Sequence, residues 1–182
     1  ISKTGAVDLN WAPATTNTTN YCVKYRDGKI YTSGKQAGNN SSFCITDTVT
    51  GSFIPTSIKA SNFVRDIFFK GDTAYVGGQV NTFGANNVNG VYRHNIAAIN
   101  TLTNLPNGFA PVVDGGINDI KFVNGKLILI GGFNTIAGLP RMRVASVDPY
   151  TGIPDSWNPS AAGARRTFVN KDLMYICGDF DT

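Results

Sequence analysis

The chain has 182 residues, a formal net charge of +4 and only 15% charged residues against 42% hydrophobic ones. That charged share lies below the roughly 25% of ordinary soluble domains. Polarity is carried instead by Gly, Asn and Thr, the composition of short strands joined by polar turns and not of long charged helices. Beyond Arg141-Met142-Arg143 and Arg165-Arg166 there is no cluster of basic residues, which argues against a nucleic-acid interface, and no stretch reaches the roughly 18 apolar residues of a membrane span. Cys22, Cys44 and Cys177 are odd in number and lack C-x-x-C spacing, so neither a disulfide framework nor a zinc site is indicated. No signal peptide is visible at Ile1, so a targeting segment would lie outside this sequence.

In chain order, residues 1–20 read as the outer part of a repeat, with Thr4-Gly5 and Trp11-Ala12-Pro13. Residues 21–62 hold Val23-Lys24-Tyr25, the turn Asp27-Gly28, a strand ending at Gly34, then Phe43-Cys44-Ile45-Thr46-Asp47 and Thr50-Gly51. Residues 63–116 repeat this with Ile67-Phe68-Phe69, Lys70-Gly71-Asp72, Ala74-Tyr75-Val76-Gly77-Gly78 and Ile96-Ala97-Ala98-Ile99-Asn100. Extra residues fall near Asn86 to Asn95 and Leu105 to Pro111. The clearest copy, 117–163, has Ile120 to Val123, Asn124-Gly125, Leu127 to Phe133, Val144 to Asp148, Thr151-Gly152 and Trp157-Asn158-Pro159. Residues 164–182 begin another copy, with Phe168-Val169, the turn Asn170-Lys171-Asp172 and Leu173 to Phe180.

Gly34, Gly78, Gly132 and Gly178 recur at intervals close to the roughly 40–50 residues of a propeller blade. Asn-Gly and Asp-Gly between apolar runs predict type I′ hairpins. The unbroken run Leu127 to Ile130 predicts a strand buried on both faces, and no helical periodicity of ten or more residues separates the strands. The expected fold is therefore all-β: a β-propeller of four-stranded antiparallel blades, about 3.5 of which are present, cut from a larger ring. The Gly ending the second strand is expected where backbones approach closely or a bulge forms. Cys44, aligned with Ala97 and Ala145, and Cys177, placed with Gly131, Gly77 and Ser33, read as small buried residues; a Cys22–Cys44 bond has no support.

The segments Leu129-Ile130-Gly131-Gly132-Phe133, Gly138-Leu139-Pro140-Arg141, Val144-Ala145-Ser146-Val147-Asp148, Thr151-Gly152 and Trp157-Asn158-Pro159 resemble the delta-60 repeat family of β-propellers. Similar units resemble repeats in the ectodomains of fungal cortical landmark proteins. The first copy departs most, with a single Gly34, Lys35-Gln36 where Phe133 would fall, and no Arg in its loop. The resemblance implies an extracellular or cell-surface address, as in large secreted or surface-attached bacterial proteins, and implies architecture more than chemistry.

Several residues invite chemical readings. His94, the only histidine, lacks a Gly-x-Ser-x-Gly turn and lacks partners for zinc, so a solvated or packing role is expected. Asp66 and Asp119 share a position before an inner-strand Ile. Paired carboxylates serve glycosidases or cation sites, but recurrence in successive copies favours acceptance of backbone N–H bonds. Cys22 and, near it in register, Arg165 break the ring of acids. Asp47, Asn100 and Asp148 are expected to initiate turns. Asp179-Phe180-Asp181 and Asn81-Thr82-Phe83-Gly84 are weak as cation loops. Trp11 and Trp157 are expected to pack between blades. Asn17-Thr18-Thr19 and Asn40-Ser41-Ser42 fit glycosylation sequons.

No catalytic, cofactor or metal residue is assigned. The expectation is a non-enzymatic module that binds a protein or glycan, with the insertion at Asn86 to Asn95 as a recognition loop and the rest of the propeller as partner. The alternatives are a propeller glycosidase or lyase with acids partly outside this segment, and a virion or appendage component.

Overall fold

The structure, a computed structural model, describes residues 17–36, 43–54, 60, 62–79, 82–83, 91–159, 161–170 and 173–180. Of the expected first partial copy, residues 1–16, with Thr4-Gly5 and Trp11, lie outside them, and its last four residues belong to the first strand of the next sheet. All regular elements among the described residues are strands.

Four antiparallel sheets follow one another along the chain. The first is β1 (Asn17–Arg26), β2 (Lys29–Gln36), β3 (Phe43–Asp47) and β4 (Phe53–Ile54), paired in that order. The second contains β5 (Val64–Lys70), β6 (Thr73–Gly78), β9 (Ile96–Asn100) and β10 (Leu105–Pro106). Between β6 and β9 a small hairpin, β7 (Thr82–Phe83) and β8 (Val91–Tyr92), stands apart. The third is β11 (Ile117–Val123), β12 (Lys126–Gly131) and β15 (Val144–Val147), with the fourth-strand place held by the single bridge Val147 to Pro154. Its loop hairpin is β13 (Thr135–Ile136) and β14 (Leu139–Pro140). The fourth is the pair β16 (Ala164–Asn170) and β17 (Leu173–Gly178).

The two-residue turns form as their chemistry dictates. Asp27, Gly28, Asn124 and Gly125 all have positive φ, the signature of type I′ hairpins. The later turn is equally local. One oxygen of Asp47, Asn100 and Asp148 accepts the N–H groups two and three residues on, and Gly51, Asn104 or Gly152 closes the turn at positive φ. The expected turn-initiating role of these three residues is observed.

Consecutive sheets stack face to face, with the first strands β1, β5, β11 and β16 each beside the next. A second strand such as β12 is then buried on both sides: Leu127 and Leu129 face the second sheet, Ile128 and Ile130 the fourth. Three apolar layers result. Tyr31, Ile67 and Val76 anchor the first, Tyr75, Phe109, Phe133 and Leu129 the second, Ile128, Ile130 and Val144 the third.

Three sequence expectations are corrected. Register pairs Gly34, Gly78, Gly131 and Gly178 with the first residue of the bulge, so the repeating glycine of the third sheet is Gly131, not Gly132. A Cβ on Gly131 would lie 2.0 Å from the Gly116 carbonyl oxygen, whereas one on Gly132 would meet nothing. Leu105 to Pro111 is no insertion: Pro106 and Asn107 occupy the places of Pro154 and Asp155, with Asn107 and Asp155 donating to the Ala98 and Ser146 carbonyls in turn. Cys177 shares its position with Ser33, Gly77 and Ile130, and it is exposed where a small buried residue was expected, because no fifth sheet among the described residues covers it. None of Cys22, Cys44 and Cys177 forms a disulfide.

Candidate functional site

Each first strand carries a bulge at Tyr21, Arg65, Asn118 and Arg165. The bulge absorbs one residue, so Val64 and Ile67 both face the preceding sheet while Asp66 turns towards the next. The following residue in register, Arg166 and not Arg165, takes the acid position in the fourth sheet. The row Cys22, Asp66, Asp119, Arg166 thus runs along adjacent first strands.

Both acids are buried and fully engaged. Asp66 Oδ2 accepts the Ile120 N–H at 2.9 Å across the sheet joint, and Oδ1 lies 3.2 Å from Lys24 Nζ and accepts the Cys22 thiol at 3.7 Å. Asp119 Oδ2 accepts both the N–H and the hydroxyl of Thr167 at 2.6 Å, and Oδ1 accepts Lys121 Nζ at 2.5 Å, with Arg166 at 3.9 Å. Burial disfavours the Asp119 carboxylate, but the bonds from Lys121 and Thr167 outweigh it and hold its pKa below the usual carboxylate range. Burial, reinforced by the Asp66 charge, pushes the Cys22 thiol up, which makes it a weaker nucleophile. The expected role for Asp66 and Asp119, accepting backbone N–H groups, is what the geometry presents. Among the described residues no three His, Cys, Asp or Glu side chains gather in a way that would hold a metal ion.

The two ends of the sheets differ. At one end lie the short turns, where the Tyr75 hydroxyl donates 2.8 Å to the Pro149 carbonyl of the next sheet and Lys70 sits 3.8 Å from the Phe122 ring. Burial, with the nearby Tyr150 and Asp148, pushes Tyr75 up to about 12. At the other end lie the loops after the second strands. Here the structure shows a repeat that sequence reading missed. Arg93 reaches the Asn107 and Phe109 carbonyls at 2.7 and 3.2 Å and its own neighbour Tyr92 at 2.9 Å. Arg141 does the same with Asp155 at 2.5 Å and Pro140 at 2.7 Å. Asn95 and Arg143, two residues later, both take positive φ, and their carbonyls accept Gly78 and Gly131. The signal was present: Tyr92-Arg93-His94-Asn95 parallels Pro140-Arg141-Met142-Arg143.

His94 packs edge-on against Tyr92, with ring centroids 4.8 Å apart, and lies half-buried. Trp157 matches Phe109 in register; Phe109 is fully buried against Tyr75, while Trp157 stays 38% exposed and so packs only in part. Asp179 pairs with Arg165 and donates its N–H to the Gly163 carbonyl. The core of the proposed recognition insertion, 84–90, lies outside the described residues, as do Asn40, Asn81 and Asp181. No helix of the described residues is long and apolar enough to cross a membrane.

No protein family and no curated protein matches this sequence. Among solved structures, the crystal structure of the computationally designed Ika4 protein is similar, at a TM-score of 0.66 and 10% identity over 95% of this chain and 93% of that one. At that identity the likeness concerns the fold alone: the chain shares an all-β architecture of antiparallel sheets with this designed protein.

Proposed function

We propose that this chain is a β-propeller segment of a secreted or cell-surface protein, working as a non-enzymatic scaffold whose loop end binds a protein or glycan. The propeller reading is supported by the side-by-side first strands and by bulges at one repeated position of each first strand. The address rests on the resemblance to delta-60 repeats.

One observation carries the binding role. The backbone frame of the loop end repeats while its displayed side chains do not. Arg93 and Arg141 clamp equivalent carbonyls, yet beside them the exposed Tyr92 stands for the exposed Pro140, and a half-buried His94 for the exposed Met142. A constant frame with variable exposed groups is how rigid scaffolds carry recognition loops. Asp66 and Asp119, the residues best suited to acid–base work, are saturated by internal bonds. The reading is tested on arrays of glycans and extracellular proteins. Binding is expected to fall at least tenfold on combined Tyr92→Ala and Met142→Ser substitution, and to survive Tyr150→Ser at the turn end. Polysaccharide cleavage that disappears in Asp66→Asn or Asp119→Asn would overturn it.

A further inference from the structure

The first strands gather charge that the sequence scatters. β1, β5, β11 and β16 hold seven of the chain's 16 Lys and Arg but two of its 12 acids, a net +5, so all other residues together carry −1. Two of the seven are taken up locally, Arg26 by Asp27 and Arg165 by Asp179, and Lys70 lies over the Phe122 and Tyr150 rings. The other four, Lys24, Arg65, Lys121 and Arg166, fall one to a sheet, within four register positions around the row of acids.

In that row the cations reach further into solvent than the charges they pair with. Lys24 is 39% exposed over Asp66 at 5%, and Lys121 and Arg166 are 27% and 55% exposed over Asp119 at 3%. The carboxylates are sunk because their Oδ2 atoms reach the next strand's N–H, at Ile120 and Thr167. Water therefore meets ammonium and guanidinium groups, not carboxylates. Arg65 has no carboxylate partner among the described residues, and its Nε, closed off from solvent, bonds nothing there. Its guanidinium lies 5.8 Å from the Tyr21 ring centroid, and Tyr21 meets Phe63 edge-on at 5.7 Å.

We infer that this row of first strands binds an acidic polysaccharide, whose carboxylate or sulfate groups bridge cations of successive sheets. The Asp66 carboxylate reaches the Ile120 amide directly, so the strands that carry the cations lie no farther apart than the roughly 10 Å of face-to-face sheets. A regularly charged chain can engage several such cations at once, whereas a small anion would meet one of them, screened by water and salt. Arg65 supplies a planar fork that fits an oxyanion through two bonds, and Tyr21 and Phe63 offer aromatic surface beside it for the apolar face of a sugar. A nucleic acid calls for an aromatic platform under successive bases, and the bulge row, Tyr21, Arg65, Asn118 and Arg165, holds a single ring. Lys24, Arg65 and Lys121 belong to three sheets joined by described contacts, so the row does not depend on what precedes or follows this sequence.

The row needs the side-by-side first strands but not the loop-end reading, and the experiment keeps the two apart. Calorimetric titration of the purified chain with heparin, polygalacturonate and neutral dextran is expected to show binding of at least one acidic polymer and none of dextran. The acidic polymer that binds tells sulfate from carboxylate. Its affinity is expected to fall at least tenfold as salt rises from about 50 to about 200 mM. Arg65→Gln, which breaks no hydrogen bond among the described residues, should lower affinity about tenfold, and adding Lys24→Gln should lower it further, with unchanged circular dichroism. Lys126→Gln, an equal loss of charge at the turn end, should stay within about twofold of wild type. An equal loss in Lys126→Gln would reduce the effect to net charge. A loss in the Tyr92→Ala, Met142→Ser variant but not in Arg65→Gln would move the glycan to the loop end. Tighter binding of single-stranded DNA than of either polysaccharide would make the row a nucleic-acid surface. Any of these results, or no binding of either acidic polymer at about 50 mM salt, overturns the inference.

Discussion

Leu129 in β12 and Ile176 in β17 occupy the same repeat position, and both face the preceding sheet. Leu129 is fully buried, while Ile176 is only partly so. One residue earlier, Ile128 is 6% exposed and Tyr175 52%. The strands are nearly equal in apolar character. Ile128 and Tyr175 differ because, among the described residues, β12 has a sheet on each side and β17 has one; Ile176 faces a sheet that is present but lacks the third strand that β15 adds beside β12. In this stack, burial is a property of having neighbours, not of the strand's own composition.

The largest effect that should separate the two regions is truncation at that shared position. Leu129→Ala is expected to cost about 3–4 kcal/mol in urea unfolding, and Ile176→Ala about 1–2 kcal/mol. Equal costs would mean that the fourth sheet is covered in solution as fully as the third. The next comparison sits at the end of β12. Gly131→Ala drives a methyl into the Gly116 carbonyl and the Ile117 backbone, which side-chain movement cannot relieve, and should cost about 3 kcal/mol. Gly132→Ala enters open space and should stay within about 0.5 kcal/mol. The reverse order would restore the register that the Gly-Gly spacing suggests.

The last comparison concerns the joints. Asp119→Asn keeps an acceptor for Thr167 but loses the charge facing Lys121, for about 2 kcal/mol at neutral pH. Because the folded pKa lies below the ordinary value, the charged bond stabilises the fold above the ordinary carboxylate range and is lost as pH falls through the lowered folded value. The gap between wild type and Asp119→Asn should therefore narrow as acid is added, measured by thermal unfolding from about pH 6 to about pH 2. A gap that does not change with pH would mean that the Lys121 charge contributes nothing.

The short-range chemistry was legible in the amino-acid sequence. Asp-Gly and Asn-Gly specify their hairpins through backbone sterics alone, and Asp47, Asn100 and Asp148 make their turns with amides two and three residues away. The apolar run of β12 announced a doubly covered strand, and the recurrence of Asp66 and Asp119 announced a structural bond. What only the tertiary structure decided are the features that depend on a neighbouring backbone. The bulge at Arg65 and Asn118 is signalled only by the glycine across from it, and its register shows in neither strand's own residues, yet it turns the acids across the joint and moves the essential glycine from Gly132 to Gly131. The Arg93 clamp was hidden by the loop's changed length, and the exposure of Cys177 by the absence of a covering sheet among the described residues. A turn closes on itself, so its residues state it in full. A joint between sheets needs two surfaces, and one strand's sequence describes only its own.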